Sequence, residues 1–245
     1  MMLDPKLTSD QLWTVIETIQ GEELMSLLNH PSASDKHLIK VLERQDLGEA
    51  FLKRLAQSQW MKNARVQFYF VNHPQAPLAD AMNFVKFLFW RDLNLVLVNF
   101  RISTEVRHMA ESMLIQRLPA LATGEKVTLA RLAAGQVLKM LRLEKDPRVV
   151  QGLLENPRIT EDDVLFLINQ PRTPAPVLEQ VARDPKWSSR REVRVALLRN
   201  GSTPTSLAIG FISSLNMTEL RTLLNDPKVP LSVRRMIQTK TGMKK

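Results

Sequence analysis

Cysteine is absent from the chain. That excludes disulfides, thiolate metal sites, cysteine-ligated iron–sulfur clusters and a cysteine nucleophile. Tyrosine occurs once and glycine 8 times. Sheet proteins spend these residues on strands and turns, so their scarcity argues for helices. The opening MMLDPKLTSD has no apolar run of the kind a secretory leader needs. The most apolar stretch, Phe84 to Phe100, contains Lys86, Arg91 and Asp92 and is too short and too charged to span a bilayer. A cytoplasmic location is therefore expected. No H-E-x-x-H, G-x-G-x-x-G or P-loop string occurs. The expectation is a protein that is not an enzyme, with no catalytic, cofactor-binding or metal-binding set and no evident small-molecule substrate.

What is present is a soluble, globular composition: 245 residues, 44% hydrophobic, 24% charged, with 14 prolines. The prolines punctuate short amphipathic runs. Ser9-Asp10 reads as the cap of a helix over 11–20 that Gly21 ends, followed by short helices over 22–28, 37–43 and 47–55. QFYF within 66–71 has strand-like composition. Its place before Asn72-His73-Pro74 matches that of Val195–Arg199 before Asn200, so a helix is expected. Further helices are expected over 78–90, 93–98 and 105–117. Pro119 and Gly124 mark a break at 119–126 that could act as a hinge. The longest amphipathic helix is expected over 127–143. Thr160 with Asp163 reads as a capping box for 164–168.

The run from Asp184 to Arg235 organises the rest. An Asp-Pro turn leads to a Val-Arg helix ending at Asn200, Thr203-Pro204 opens a second helix, and Asp226-Pro227 restarts the pattern before Val233-Arg234. The same features recur upstream at an offset of 127 or 128: Asn72 with Asn200, Leu93 with Leu220, Asn99 with Asp226, and Val106-Arg107 with Val233-Arg234. The spacings of 43 from Asn29 to Asn72, 44 from Asn156 to Asn200 and 42 from Asp184 to Asp226 suggest a helix-pair repeat of that length. His30 and His73 then occupy one repeat position, which repeat inheritance explains better than shared metal ligation. The expected segments are 1–118, 125–238 and a polar, frayed basic tail at 239–245.

Residues 156–235 resemble bacterial HEAT-like α-solenoids, in particular the leucine-rich repeat variant. The resemblance is carried by Asn156-Pro157, Pro174 with Val177-Leu178, Ala182, Asp184-Pro185, Val193-Arg194, Ala196-Leu197-Leu198, Asn200 with Thr203-Pro204, and Asp226-Pro227 with Val233-Arg234. It implies an all-α fold, a right-handed α–α superhelix whose stacked helix pairs share a core only with their neighbours. The variant family's cysteine-ligated cluster cannot be carried over to a chain without cysteine.

The net charge of +9 is unevenly placed. Residues 183–245 hold 13 Lys/Arg and 4 Asp/Glu, which leaves 21 of each sign in the remainder. Such asymmetry points to an acidic partner. The candidate partner-binding residues are Lys186, Trp187, Arg190, Arg191, Arg194, Arg199, Arg234 and Arg235. The expected function is a helical-repeat scaffold that binds another protein's acidic surface through the basic C-terminal repeats. The alternative is duplex-DNA binding, by analogy with HEAT-like repair proteins. The recurrent arginines at 107, 148, 194 and 234 have a plainer reading, in which each bonds the Asx residues or carbonyls of the adjacent turn, one per repeat.

Overall fold

The computed structural model describes residues 2–170 and 172–242. The fold is all-α: 68% of it is helix, with no strand among the described residues. The chain forms two compact units, Met1–Pro119 and Ala120–Lys245. The expected segments 1–118 and 125–238 fall one in each. Of the expected tail, Thr239–Thr241 close the last helix and Gly242 caps it in the left-handed conformation, while residues 243–245 lie outside the described part.

The N-terminal unit contains α1 (Ser9–Val15), α2 (Gly21–Leu27), α3 (Asp35–Leu42), α4 (Glu49–Ala56), α5 (Ala64–Val71), α6 (Leu78–Phe84), α7 (Trp90–Leu97) and α8 (Thr104–Arg117), with a 3-10 turn at Gln59–Lys62. The C-terminal unit contains α9 (Thr123–Leu132), α10 (Gly135–Leu141), α11 (Pro147–Leu154), α12 (Glu161–Asn169), α13 (Ala175–Arg183), α14 (Pro185–Ser188), α15 (Arg191–Arg199), α16 (Thr205–Ser214), α17 (Met217–Asn225) and α18 (Leu231–Thr241). In both units helices two places apart in sequence pack on each other, as α2 on α4 and α6 on α8, or α11 on α13 and α16 on α18.

The two units are copies in register. Helices α5 to α8 begin at residues 64, 78, 90 and 104, and α15 to α18 begin at 191, 205, 217 and 231, a constant offset of 127. Helices α1 to α4 and the 3-10 turn begin at 9, 21, 35, 49 and 59, and α10 to α14 begin at 135, 147, 161, 175 and 185, a constant offset of 126. The one-residue slip lies between α14 and α15, and α9 is the one helix left without a helical counterpart among the described residues.

The helix-pair repeat is shorter than the sequence spacing suggested. With the four-residue α14 set aside as the counterpart of the 3-10 turn, alternate helices begin 26 to 30 residues apart, as at 9, 35, 64 and 90 or 135, 161, 191 and 217. The spacings near 43 link a turn after one member of a pair to a turn after the other member, one and a half repeats on. The same turn chemistry serves both places, which hid the true period.

Several helix boundaries also differ. Thr8, not Ser9, caps α1, in a reciprocal box with Gln11. That helix stops at Val15, and Gly21 opens α2 at φ +51° rather than closing α1. The expected helix over 78–90 breaks at Leu88, so Trp90 begins α7. The expected long helix over 127–143 is two helices, divided at the extended Ala133 and Ala134. The longest helix is α8, with 14 residues. Residues 119–126 contain the first turn of α9.

The copies share a core and a polar scaffold. Leu12, Leu24, Leu27 and Phe70 are buried, and so are their counterparts Leu138, Val150, Leu153 and Leu197. Buried His30 and Asn156 are counterparts that do one job. His30 donates from Nε2 to the Asp4 carbonyl at 2.9 Å and accepts the Ser32 N–H at Nδ1. Asn156 donates from Nδ2 to the Ala130 carbonyl at 2.7 Å and accepts the Arg158 N–H at Oδ1. His73 and Asn200 repeat the exchange, donating to the carbonyls of Arg44 and Ile168 and accepting the N–H groups of Gln75 and Ser202. His37 and Asp163 are each the return arm of a capping box, accepting the backbone N–H of Ser34 and Thr160. A neutral imidazole with its proton on Nε2 presents one donor and one acceptor, as a primary amide does, which is why His and Asn interchange. Asn156 and Asn200 thereby satisfy carbonyls that the ends of α9 and α12 leave bare.

Candidate protein-binding surface

The expected basic residues lie on three helices of the C-terminal unit. Lys186 and Trp187 are in α14, Arg190 is the residue that caps α15, Arg191, Arg194 and Arg199 are on α15, and Arg234 and Arg235 are on α18.

Most of these cations are engaged within the unit. Arg190 reaches Glu161 on α12 at 3.4 Å. Arg191 pairs with Glu219 on α17 at 2.7 Å and with Glu192 at 2.6 Å. Arg199 pairs with Asp226, just after α17, at 2.7 Å. The backbone N–H of Asn216, and then Arg191, hold the Glu219 carboxyl below its ordinary value. The backbone N–H of Lys228, and then the Arg199 guanidinium, do the same for Asp226. Arg194 donates to the Ser214 hydroxyl at 3.0 Å, and its buried Nε has no partner. Arg234 donates to the carbonyls of Val229 and Pro227, and Arg148 pairs with Asp146 of its own turn at 2.8 Å. The plainer reading of the recurrent arginines therefore describes these two contacts.

Trp187 is 2% exposed, and the Lys186 ammonium lies 4.3 Å from its ring centre. Its ring is a core element with no free face, so it offers no platform for a stacked base. Trp60, at the corresponding turn of the other copy, is half-buried and donates from Nε1 to the Leu28 carbonyl at 2.8 Å.

Arg221 on α17, Lys228 after it and Arg235 on α18 are among the exposed cations of this unit that make no ion pair among the described residues. Sequence reading did not single out Arg221 or Lys228. Lys228 and Arg199 line a cleft of about 580 Å³ with Asn169, Asn200 and Gly201. Its charged lining is wholly cationic, so it suits a carboxylate better than an apolar ligand.

The copy relation separates what the fold needs from what it does not. Arg234 and Lys228 have cationic counterparts in Arg107 and Arg101. Arg190, Arg191, Arg194, Arg199 and Arg221 stand where the N-terminal unit has Asn63, Ala64, Gln67, Asn72 and Asn94. The same backbone positions fold without positive charge.

Neither a protein-family model, nor a curated protein, nor a solved structure matches this chain. Among the described residues no group of three or more His, Asp or Glu could hold a metal ion, and no helix is long and apolar enough to cross a membrane.

Proposed function

We propose that each unit is a right-handed α–α superhelix of the HEAT-like kind with a shortened repeat, and that the protein is a non-enzymatic scaffold. Its C-terminal unit binds an acidic protein surface. The observation that carries this reading is the charge on α15 and α17, at positions where the other copy is uncharged. Charge that the fold does not require, gathered in one of two copies, is retained for something outside the fold. Arg221 on α17 supplies charge that makes no ion pair among the described residues, and exposed Lys228 and Arg235 add to it. Duplex DNA is the second anionic partner to test. A buried Trp187 and engaged arginines favour it less.

The experiment titrates the whole chain with fluorescent poly-glutamate and with a 20-base-pair duplex, from about 50 to 300 mM salt. Poly-glutamate is expected to bind at low salt and weaken as screening increases. The triple variant Arg221→Asn, Lys228→Ala, Arg235→His is expected to weaken it about tenfold or more. Binding of duplex alone, with a steep salt slope, would replace this reading with nucleic-acid binding. Absence of binding to either at low salt would end both.

A further inference from the structure

Between α6 and α7 of the N-terminal unit, a 3-10 turn at Val85–Phe87 leads into an extended Leu88. Val85 and Leu88 are fully buried. The residues on either side of Leu88 are thrown outward: Phe87 is 65% exposed and Phe89 66%. Two exposed cations, Lys86 and Arg91, flank the pair. Arg91 lies 5.1 Å from the Trp90 ring centre, and neither cation makes an ion pair among the described residues. Asp92, the one carboxylate of residues 86–95, is half-buried, and burial pushes its pKa up. Leu95, one helical turn on from Arg91, is also exposed. The turn is fixed from behind, since the Arg117 guanidinium donates to the carbonyls of Lys86 and Leu88.

The other copy shows that the fold requires none of these surface groups. Its turn keeps the buried pair, as Ile212 and Leu215. Lys86, Phe87, Phe89, Arg91 and Leu95 stand opposite Ser213, Ser214, Asn216, Thr218 and Thr222. At five exposed positions one copy is polar and uncharged, while the other alternates large apolar groups with positive charge.

We propose that residues 86–95 form a docking face for an anionic lipid surface. Phe87 and Phe89 enter the boundary between headgroups and acyl chains, and Lys86 and Arg91 meet the lipid phosphates. The rings line neither the cleft at Met2 and Arg54 nor the cleft at Asp46 and Pro77. They stand out from a clamped turn, with a cation on each side. A bilayer surface suits that shape, because it yields around a projecting ring and supplies negative charge at the level of the flanking cations. Apolar burial and electrostatic attraction act together there, and reversible surface binding needs both. The stretch too charged to cross a bilayer is thus built to lie on one. This face belongs to the N-terminal unit and does not rest on the acidic-protein surface proposed for the other.

Flotation of the full chain with vesicles of phosphatidylcholine, alone or with about one-third phosphatidylglycerol, tests this. Binding is expected to the anionic vesicles, to weaken as salt rises, and to be at least tenfold weaker to phosphatidylcholine alone. Phe87→Ser with Phe89→Asn, and separately Lys86→Ser with Arg91→Thr, are each expected to weaken it about tenfold or more. Both pairs copy the other unit at exposed positions, and an unchanged helical circular-dichroism signal confirms the fold of each variant. The triple variant of the C-terminal unit should keep the dependence on Phe87 and Phe89. Failure to bind anionic vesicles, or equal binding to both compositions, overturns the proposal. So does vesicle binding indifferent to the phenylalanine pair, which would assign it to the basic C-terminal unit alone. Poly-glutamate binding without vesicle binding, or a concentration-dependent dimer, either one lost in the phenylalanine variant, would also overturn it by assigning the face to a protein or to a second copy.

Discussion

At the turn after α5, the His73 ring is buried and donates to the carbonyl of Arg44 at 2.8 Å. Burial pushes its pKa below the ordinary value, against the opposing pull of that carbonyl. The unfolded chain therefore takes up a proton near pH 6.5 that the folded chain resists. Stability is complete above that pH and falls as pH drops through it, by up to about 1.4 kcal/mol per pH unit for one proton. Urea unfolding at pH 7.5 and 5.5 measures the loss. Asn200 does the same work without titrating, so His73→Asn should keep most of the stability at pH 7.5 and flatten the pH slope. A slope unchanged by that substitution would remove His73 as its source. That His30 and His73 share one turn chemistry was legible in the Asn-His-Pro strings, although they follow different members of the helix pair and do not occupy one repeat position. Their equivalence to Asn156 and Asn200 was not, because it rests on ring nitrogens meeting carbonyls 26 and 29 residues earlier.

Helices were easier to read than their ends. The strand-like QFYF segment is helical as the turn after it implied, and the Thr160–Asp163 box forms as the spacing suggested. The break between α9 and α10 was hidden because Leu132-Ala133-Ala134 favours continued helix. Asn156, from the next layer, takes the carbonyls of Ala130 and Ala133 at 2.7 and 3.0 Å, and Gly135 turns the chain at φ +56°. A contact from 23 residues away leaves no local mark. Arg142 on the turn after α10 and Asp163 on α12 form a largely buried pair at 2.7 Å, with Arg142 stacked 4.2 Å from the Phe166 ring centre. Their counterparts are the buried Ile16 and His37. Arg142→Ala should cost about 3–5 kcal/mol, because Asp163 loses its partner charge. The double replacement Arg142→Ile with Asp163→His, which copies the other unit, should recover most of it. Chemical denaturation of both variants checks this, and a double variant no better than the single one would refute the equivalence. Leu197 and Leu198 are fully buried on α15, so either change to Ala should cost about 2–5 kcal/mol. A loss under roughly 0.5 kcal/mol at both, the size of a surface substitution, would contradict their place in the core.

For the molecule as a whole, the copy relation is the organising fact. Part of it was visible in sequence as the run from Asn72 to Arg107. The remainder shares little residue identity, because the copies conserve the chemistry of a position rather than its side chain. Within that frame, positions alike in both copies serve the stacking of layers, and positions that differ, such as the arginines of α15 and α17, are where function is sought. The most direct test is a long-range proton–nitrogen correlation spectrum of the histidine rings near pH 8. If His30, His37 and His73 stand in the places of Asn156, Asp163 and Asn200, all three show the tautomer protonated at Nε2, with slow exchange of that proton, while exposed His108 is averaged. Rings protonated at Nδ1, or averaged like His108, would contradict the two-copy architecture.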